Sequence, residues 1–135
     1  MDKMVVKVPV TIKSKVTEAL KAKLISDLQE SVKQANLGME SFEFKAKRAI
    51  NEQANLNEAG LDALHDQIEF ERAKRLEAKK EVEEKLKRAE KLALGTEIGH
   101  GQIERTVEVE IGTDLEEIMG AEIVVEDGKI IAFRA

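Results

Sequence analysis

Cysteine is absent from the 135 residues. That absence excludes disulfides, thiolate catalysis, and zinc or iron–sulfur sites built on cysteine. Proline occurs once, at Pro9, and the aromatic side chains are four Phe. No run of about 18 apolar residues is present, the length a helix needs to cross a bilayer, and no N-terminal apolar run sits between basic residues and a cleavage site. Membrane insertion and export both lack a signal, so the cytoplasm is the expected location. An excess of positive charge is missing too: 22 Lys and Arg stand against 27 Asp and Glu, a net charge of -5. This balance disfavours a generally basic nucleic-acid binder and leaves only a local basic patch for that purpose.

What is present is periodicity. "MVVKVPVTIK" places Met4, Val6, Val8, Val10 and Ile12 at alternate positions, on one face of a strand. Pro9 falls on the other face and has no ladder donor, which predicts an edge strand or a bulge. Thr17 is a suitable N-cap for a helix opening with Glu18. From there Leu20, Leu24, Leu28, Val32, Ala35, Met39, Phe42, Ala46 and Ala49 recur in steps of three and four, the seam of one long amphipathic helix. Gly38 interrupts the composition but not the phase of that seam. "NEQANLNEAG", with three Asn and a Gly, reads as the turn of a hairpin near 51–58. A second helix is expected from about Asn57 to Gly95, with Leu61, Leu64, Ile68, Leu76, Val82, Leu86 and Ala89 on its inner side.

The stretch "EFERAKRLEAKKEVEEKLKRAEK", residues 69 to 91, carries much of the charge. Glu71 precedes Arg75 by four residues, as Glu81 precedes Lys85, Glu83 precedes Lys87 and Glu84 precedes Arg88. That order supports a solvated helix by about 0.2–0.5 kcal/mol per pair and leaves no unbalanced basic stripe for RNA or lipid. After residue 95 the period changes. "QIERTVEVEI" alternates as a half-buried strand, "TDLEEIM" offers a cap and one helical turn, and "EIVVEDGKIIAFR" reads as two strands around Asp127-Gly128, a strong hairpin signal. The expected fold class is α+β: a long antiparallel helical hairpin, a coiled coil over residues 17–95, inserted into a small β-barrel or curled antiparallel sheet formed by residues 1–16 and 96–135.

The phrases "VPVTIKSKVTEALKAKL", "SFEFKAKRAI" and "KLALGTEIGHGQIERTVEVEIGTDLEEIMGAEIVVEDGKIIAFR" resemble the bacterial YlqD family in order and spacing, over nearly the whole chain. The most specific portions are Leu-Gly-Thr-Glu-Ile from Leu94, "VEVEIGTDL" and "EIVVEDGKI". The resemblance implies a bacterial cytoplasmic protein without an assigned activity, whose genes in some bacteria neighbour genes for ribosome and tRNA maturation. It supplies no catalytic residue to carry over.

Candidate chemistry is sparse. "GTEIGHGQ", with Gly95, Gly99 and Gly101 around His100, runs from helix into strand, the wrong sense for a phosphate loop. It reads as a helix C-cap followed by a tight turn with an exposed His100. His65 with Glu69 on one helix face supplies only two metal ligands, short of a site. Glu108 and Glu110 alternate to the outer face of their strand; with Asp114, Glu116 and Glu117 they read as solubilising charge rather than as an acid–base pair or a cation site. No nucleophile stands beside a base, so an enzyme is not expected, and neither a cofactor nor a metal is expected.

The aromatic residues carry more. With a turn near residue 54, residue i faces roughly 108 minus i, which brings Phe70 towards the level of Phe42. Phe42 and Met39 lie on the seam, whereas Phe44 and Phe70 sit about 200° from Phe42 and Ile68 and should point outward. Either a wide seam tucks these rings in, or they meet another hairpin or another protein. The inner side near Arg72, Arg75 and Lys79 is poor in large apolar groups, which favours pairing of hairpins into a homo-oligomer. Met39, Phe42, Phe44 and Phe70 are the expected protein interface of a non-enzymatic interaction or scaffold protein. The alternative is a ribosome- or RNA-associated factor displaying Lys13, Lys15, Lys21, Lys23, Lys45, Lys47 and Arg48 as one basic face.

Overall fold

The computed structural model of the protein describes residues 2–134. Strand β1 covers Lys3–Lys15, helix α1 Glu18–Leu56, helix α2 Leu61–Glu90, strand β2 Glu97–Glu110, helix α3 Leu115–Met119, strand β3 Glu122–Glu126 and strand β4 Lys129–Arg134. The class is α+β, with two long helices and one four-stranded sheet. No helix among the described residues is long and apolar enough to cross a membrane. Two compact units emerge, one formed by the chain up to Ala22 together with the chain from Leu92 onward, the other by Lys23–Lys91.

In the sheet unit the strand order is β2-β1-β3-β4. β1 pairs antiparallel with β2 from Lys3↔Glu110 to Lys15↔Glu97, and parallel with β3 over Thr11–Ser14. β3 and β4 form an antiparallel hairpin. The expected barrel is therefore corrected to an open sheet: β2 and β4 are its two edges. The expected antiparallel sheet is corrected to a mixed one. Its cause is the link through α3, which carries the chain from the β2 edge across to the far side of β1, so that β3 enters alongside β1 in the same direction.

Pro9 occupies an interior strand without breaking a ladder. Thr11 donates its N–H to the carbonyl of Ala121 on the β3 side, and alternate residues of a strand direct their nitrogens to the same side. Pro9 thus aims its missing donor where β3 has not yet begun, since that pairing starts at Thr11↔Glu122. The core of this unit is small and mainly of valine: Val8, Val10, Val16 and Val124 are buried, with Ala121. Met4, placed by alternation on the same face, is exposed because it lies near the end of the β1–β2 ribbon, beyond the cover of the other elements.

Asp127 (φ 49°) and Gly128 (φ 81°) both take left-handed conformations in the β3–β4 turn, the geometry that matches the twist of a two-residue hairpin. The same turn meets the start of α1. The Thr17 hydroxyl accepts from the Leu20 N–H at 3.1 Å, as an N-cap does, and donates to Asp127 Oδ1 at 2.7 Å. Lys21, in the first turns of α1, donates to the carbonyl of Leu92 at 2.9 Å.

In the helical unit, α1 is continuous through Gly38 and runs to Leu56, through the Asn-rich stretch where the turn is expected. Asn costs a helix interior only about half a kcal/mol relative to Ala, and a helix already nucleated propagates through such residues. The reversal occupies residues 57–60, with the Gln53 side chain donating to the Asn57 carbonyl, and α2 starts at Leu61 rather than Asn57. Every residue of the α1 seam from Leu20 to Ala49 is buried or half-buried. On α2 the seam is as expected at Leu61, Leu64, Ile68, Val82, Leu86 and Ala89, whereas Leu76 is exposed. Lys79 and Arg72 occupy the inner positions in that middle stretch.

Candidate protein-interaction surface

Long polar side chains span α1 and α2 at mid-length. Arg72 donates through Nε and Nη2 to the two carboxylate oxygens of Glu43, at 2.6 and 2.9 Å, and through Nη1 to Glu69 one turn back. Such a fork fixes the guanidinium plane as well as the charge. Its consequence is mutual: the hydrogen bond from Arg72 holds the Glu43 carboxyl below the usual carboxylate range, and Glu43, then Glu69, hold the Arg72 guanidinium more firmly protonated. Phe42 lies beside the fork, with the Arg75 guanidinium 5.1 Å and the Arg72 guanidinium 6.0 Å from its ring centroid, within cation–π range. A Cβ added at Gly38 would meet Arg75 Nη1 at 3.7 Å.

These contacts give the register. Glu43 with Arg72 and Gly38 with Arg75 pair numbers that add to 115 and 113, not 108, because the reversal lies later than residue 54. Phe70 is therefore level with Phe44 rather than with Phe42. Phe44 is 69% exposed and Phe70 68% exposed, so neither ring is tucked into the seam. Phe44 lines a groove of about 390 Å³ with Glu43, Ala46, Lys47, Ile50 and Arg72. The Phe70 ring carries the Lys74 ammonium 5.4 Å from its centroid. Met39 and Phe42 are half-buried in the seam. The structure thus separates the four expected interface residues into an inner pair and an outer pair.

The charged pattern is only partly realised as ion pairs. Glu71 and Arg75 approach to 3.3 Å, while Glu83 turns back to Lys79 at 3.8 Å rather than forward to Lys87. Of the seven cations of the expected basic face, three are engaged. Lys13 pairs with Glu122 at 2.9 Å, Arg48 with Glu52 at 3.1 Å, and Lys21 with a backbone carbonyl.

His100 is not in a turn. Gly95, at φ 88°, makes the turn, and β2 begins two residues later at Glu97. The register passes from Ile12↔Gly101 to Lys13↔Gly99, leaving His100 as the extra residue of a β-bulge, with Gly101 at φ 148°. The bulge re-aims the imidazole so that Nδ1 lies 3.0 Å from the hydroxyl of Ser14. Sequence reasoning places no nucleophile beside a base, yet this pair is a serine and a histidine in contact. Ser14 is only 6% exposed and sits inside a strand. The contact satisfies a buried hydroxyl. His65 is exposed, and Glu69, which shares its helix face, is engaged by Arg72. Among the described residues no group of three His, Asp or Glu gathers as a metal site.

Two features escaped sequence reasoning: the Glu43–Arg72 fork and the Ser14–His100 bulge. The first has a signal, three cations at inner positions of an amphipathic helix, which demand an anion across the way. The second has only a weak one, the closely spaced Gly99 and Gly101 inside an apolar alternation.

Comparison with known proteins gives a family and a fold. The family described as YlqD protein matches residues 4–134. No curated protein matches. Among solved structures, the crystal structure of a protein of unknown function from Synechococcus sp. WH 8102 is similar, with a TM-score of 0.79 and 19% identity, over 98% of this chain and 95% of that one. At that identity the likeness concerns the fold.

Proposed function

The chain belongs to the YlqD family, and from that premise we propose that it is a non-enzymatic interaction or scaffold protein whose two long helices act as a coiled-coil hairpin, in self-association or in docking onto a larger assembly. The observation that carries this reading is the pair of Phe rings at one level, each more than two-thirds exposed, in an otherwise charged stretch of helix. Leaving a Phe in water forgoes about 1.5–3 kcal/mol of burial, so two such rings at one level favour a partner that covers them. Next to each ring stands a cation, Lys47 beside Phe44 and Lys74 over Phe70, which suits an apolar contact with a polar rim. The inter-helix fork at Glu43 and Arg72 favours one register and so holds the two rings level.

The test replaces Phe44 and Phe70 together and follows molar mass by light scattering over a range of concentration, alongside crosslinking of the tagged chain in its native cell. Loss of the associated species or of the crosslinked partner supports the reading. Unchanged mass and unchanged crosslinks refute it. Recovery of ribosomal components among the crosslinks would assign the larger assembly to the ribosome.

A further inference from the structure

The outward face of α1 is apolar at two places and charged in a fixed order between and beyond them. Leu37 and Phe44 are 48% and 69% exposed, and their seven-residue spacing puts them within about 20° of one another around the helix. Both point away from the seam of Met39, Phe42 and Ala46. Along the axis the charge changes sign at the ring: Glu40 stands one turn before Phe44, Lys47 and Arg48 one turn after, and all three are exposed. Among the described residues no ion pair engages Glu40 or Lys47. Arg48 meets Glu52 at 3.1 Å, with both side chains mostly in water. Glu43, next to the ring, is held by Arg72 of its own chain.

Acid before the ring and base after it is an order that complements itself when two copies run in opposite directions. An antiparallel second α1 crossing at Phe44 sets ring against ring and brings Glu40 of each chain level with Lys47 and Arg48 of the other. Further out, Lys45 comes level with Glu43, Leu37 with Asn51 and Lys33 with Asn55, so no like charges meet. A parallel copy would oppose Glu40 to Glu40 and Arg48 to Arg48. Nucleic acid or an anionic lipid surface fits less well, because Glu40 and Glu52 interleave with the bases and leave no continuous positive stripe. On α2, Phe70 also has an acid before it, Asp66, and a base after it, Lys74. There, however, Lys74 lies over the ring, and the residues seven away are Ala63 and Glu77, so that face offers less apolar area. We infer that α1 pairs with α1 of a second copy, antiparallel about a two-fold axis at Phe44. This rests on the reading of Phe44 as an interface and adds the identity and direction of its partner.

The test follows the molar mass of the purified full chain by sedimentation over a concentration series. The wild type should approach twice the single-chain mass as concentration rises. Phe44→Ser should return it to the single-chain mass, whereas Phe70→Ser should leave the pairing in place. Glu40→Lys gathers cations at each crossing point, and Lys47→Glu with Arg48→Glu gathers acids; each should weaken pairing by about tenfold or more. The three substitutions combined in one chain restore opposite charges between antiparallel copies and should recover most of the loss, a rescue that parallel copies could not show. All these side chains are exposed, and circular dichroism checks that helix content is kept. A wild type that holds its single-chain mass throughout overturns the inference; if position 44 then still crosslinks to another protein in the native cell, the broader reading of this surface stands without it. Association lost with Phe70→Ser but not with Phe44→Ser, indifferent to the charge reversals, or not recovered by their combination overturns it as well.

Discussion

Replacing both exposed rings with alanine, Phe44→Ala and Phe70→Ala, perturbs the proposed contact while leaving the helices favoured. Alanine has the highest helix propensity, so a lost association could not be blamed on unravelling. Fully burying a Phe side chain contributes about 1.5–3 kcal/mol. With 69% and 68% of each ring still in water, each has about 1–2 kcal/mol left to gain at an interface. Two rings on one chain then account for about 2–4 kcal/mol, a weakening of roughly 30- to 1,000-fold in Kd, and self-association, in which both chains are altered, weakens further. The folded chain itself should lose about 1 kcal/mol or less, since the buried third of each ring contributes about 0.5–1 kcal/mol and the higher helix propensity of alanine offsets about half of the sum. Sedimentation over a concentration series measures association, and urea unfolding of the same samples measures stability. An associated species that survives with its affinity unchanged, in a variant of unchanged helix content, would refute the argument.

Three further outcomes follow from other parts of the molecule. Because Arg72 lowers the pKa of Glu43, the fork contributes fully above the usual carboxylate value of 4.5 and its contribution disappears as pH falls through the lowered folded value; thermal melts across that window should show stability declining, and Glu43→Gln should flatten the decline. Gly38→Ala has only ordinary contact at 3.7 Å and should stabilise by about 0.5–1 kcal/mol, whereas Gly128→Ala, at φ 81°, should destabilise by about 1 kcal/mol or more, both read from urea midpoints. His100→Ala should cost about 1–3 kcal/mol by leaving the Ser14 hydroxyl without its imidazole partner, and adding Ser14→Ala should recover part of that loss in the same unfolding assay.

The helices were legible because a seam in steps of three and four is a property of consecutive residues. From Leu20 to Ala49 it matches burial in full. Leu76 misled because apolarity alone chose it, while the inward direction at mid-helix is set by the Arg72 fork to Glu43, a contact between residues 29 apart in sequence. The Asn-rich stretch points to a turn, but helix propagation overrides so small a preference and α1 continues to Leu56. A shift of a few residues at the reversal moves the level of every pairing between α1 and α2, which is why Phe70 falls level with Phe44 rather than with Phe42. In the sheet, alternation and Asp127-Gly128 yielded the strands and one hairpin. The parallel β1–β3 pairing and the open edges depend on which side of β1 the chain returns to, and period-two patterns do not encode that. Of the candidate site, the exposure of Phe44 and Phe70 followed from angle counting, whereas their common level needed the register.

The central claim is that the outward ring of α1 touches another chain. Photo-crosslinking settles it most directly: a photoreactive phenylalanine replaces Phe44 in the native cell, with the same probe at exposed Lys80 as the control position. The account expects a discrete adduct of higher mass from position 44 and none of comparable yield from position 80. Position 44 yielding only the uncrosslinked chain, or both positions yielding the same diffuse set, would contradict it.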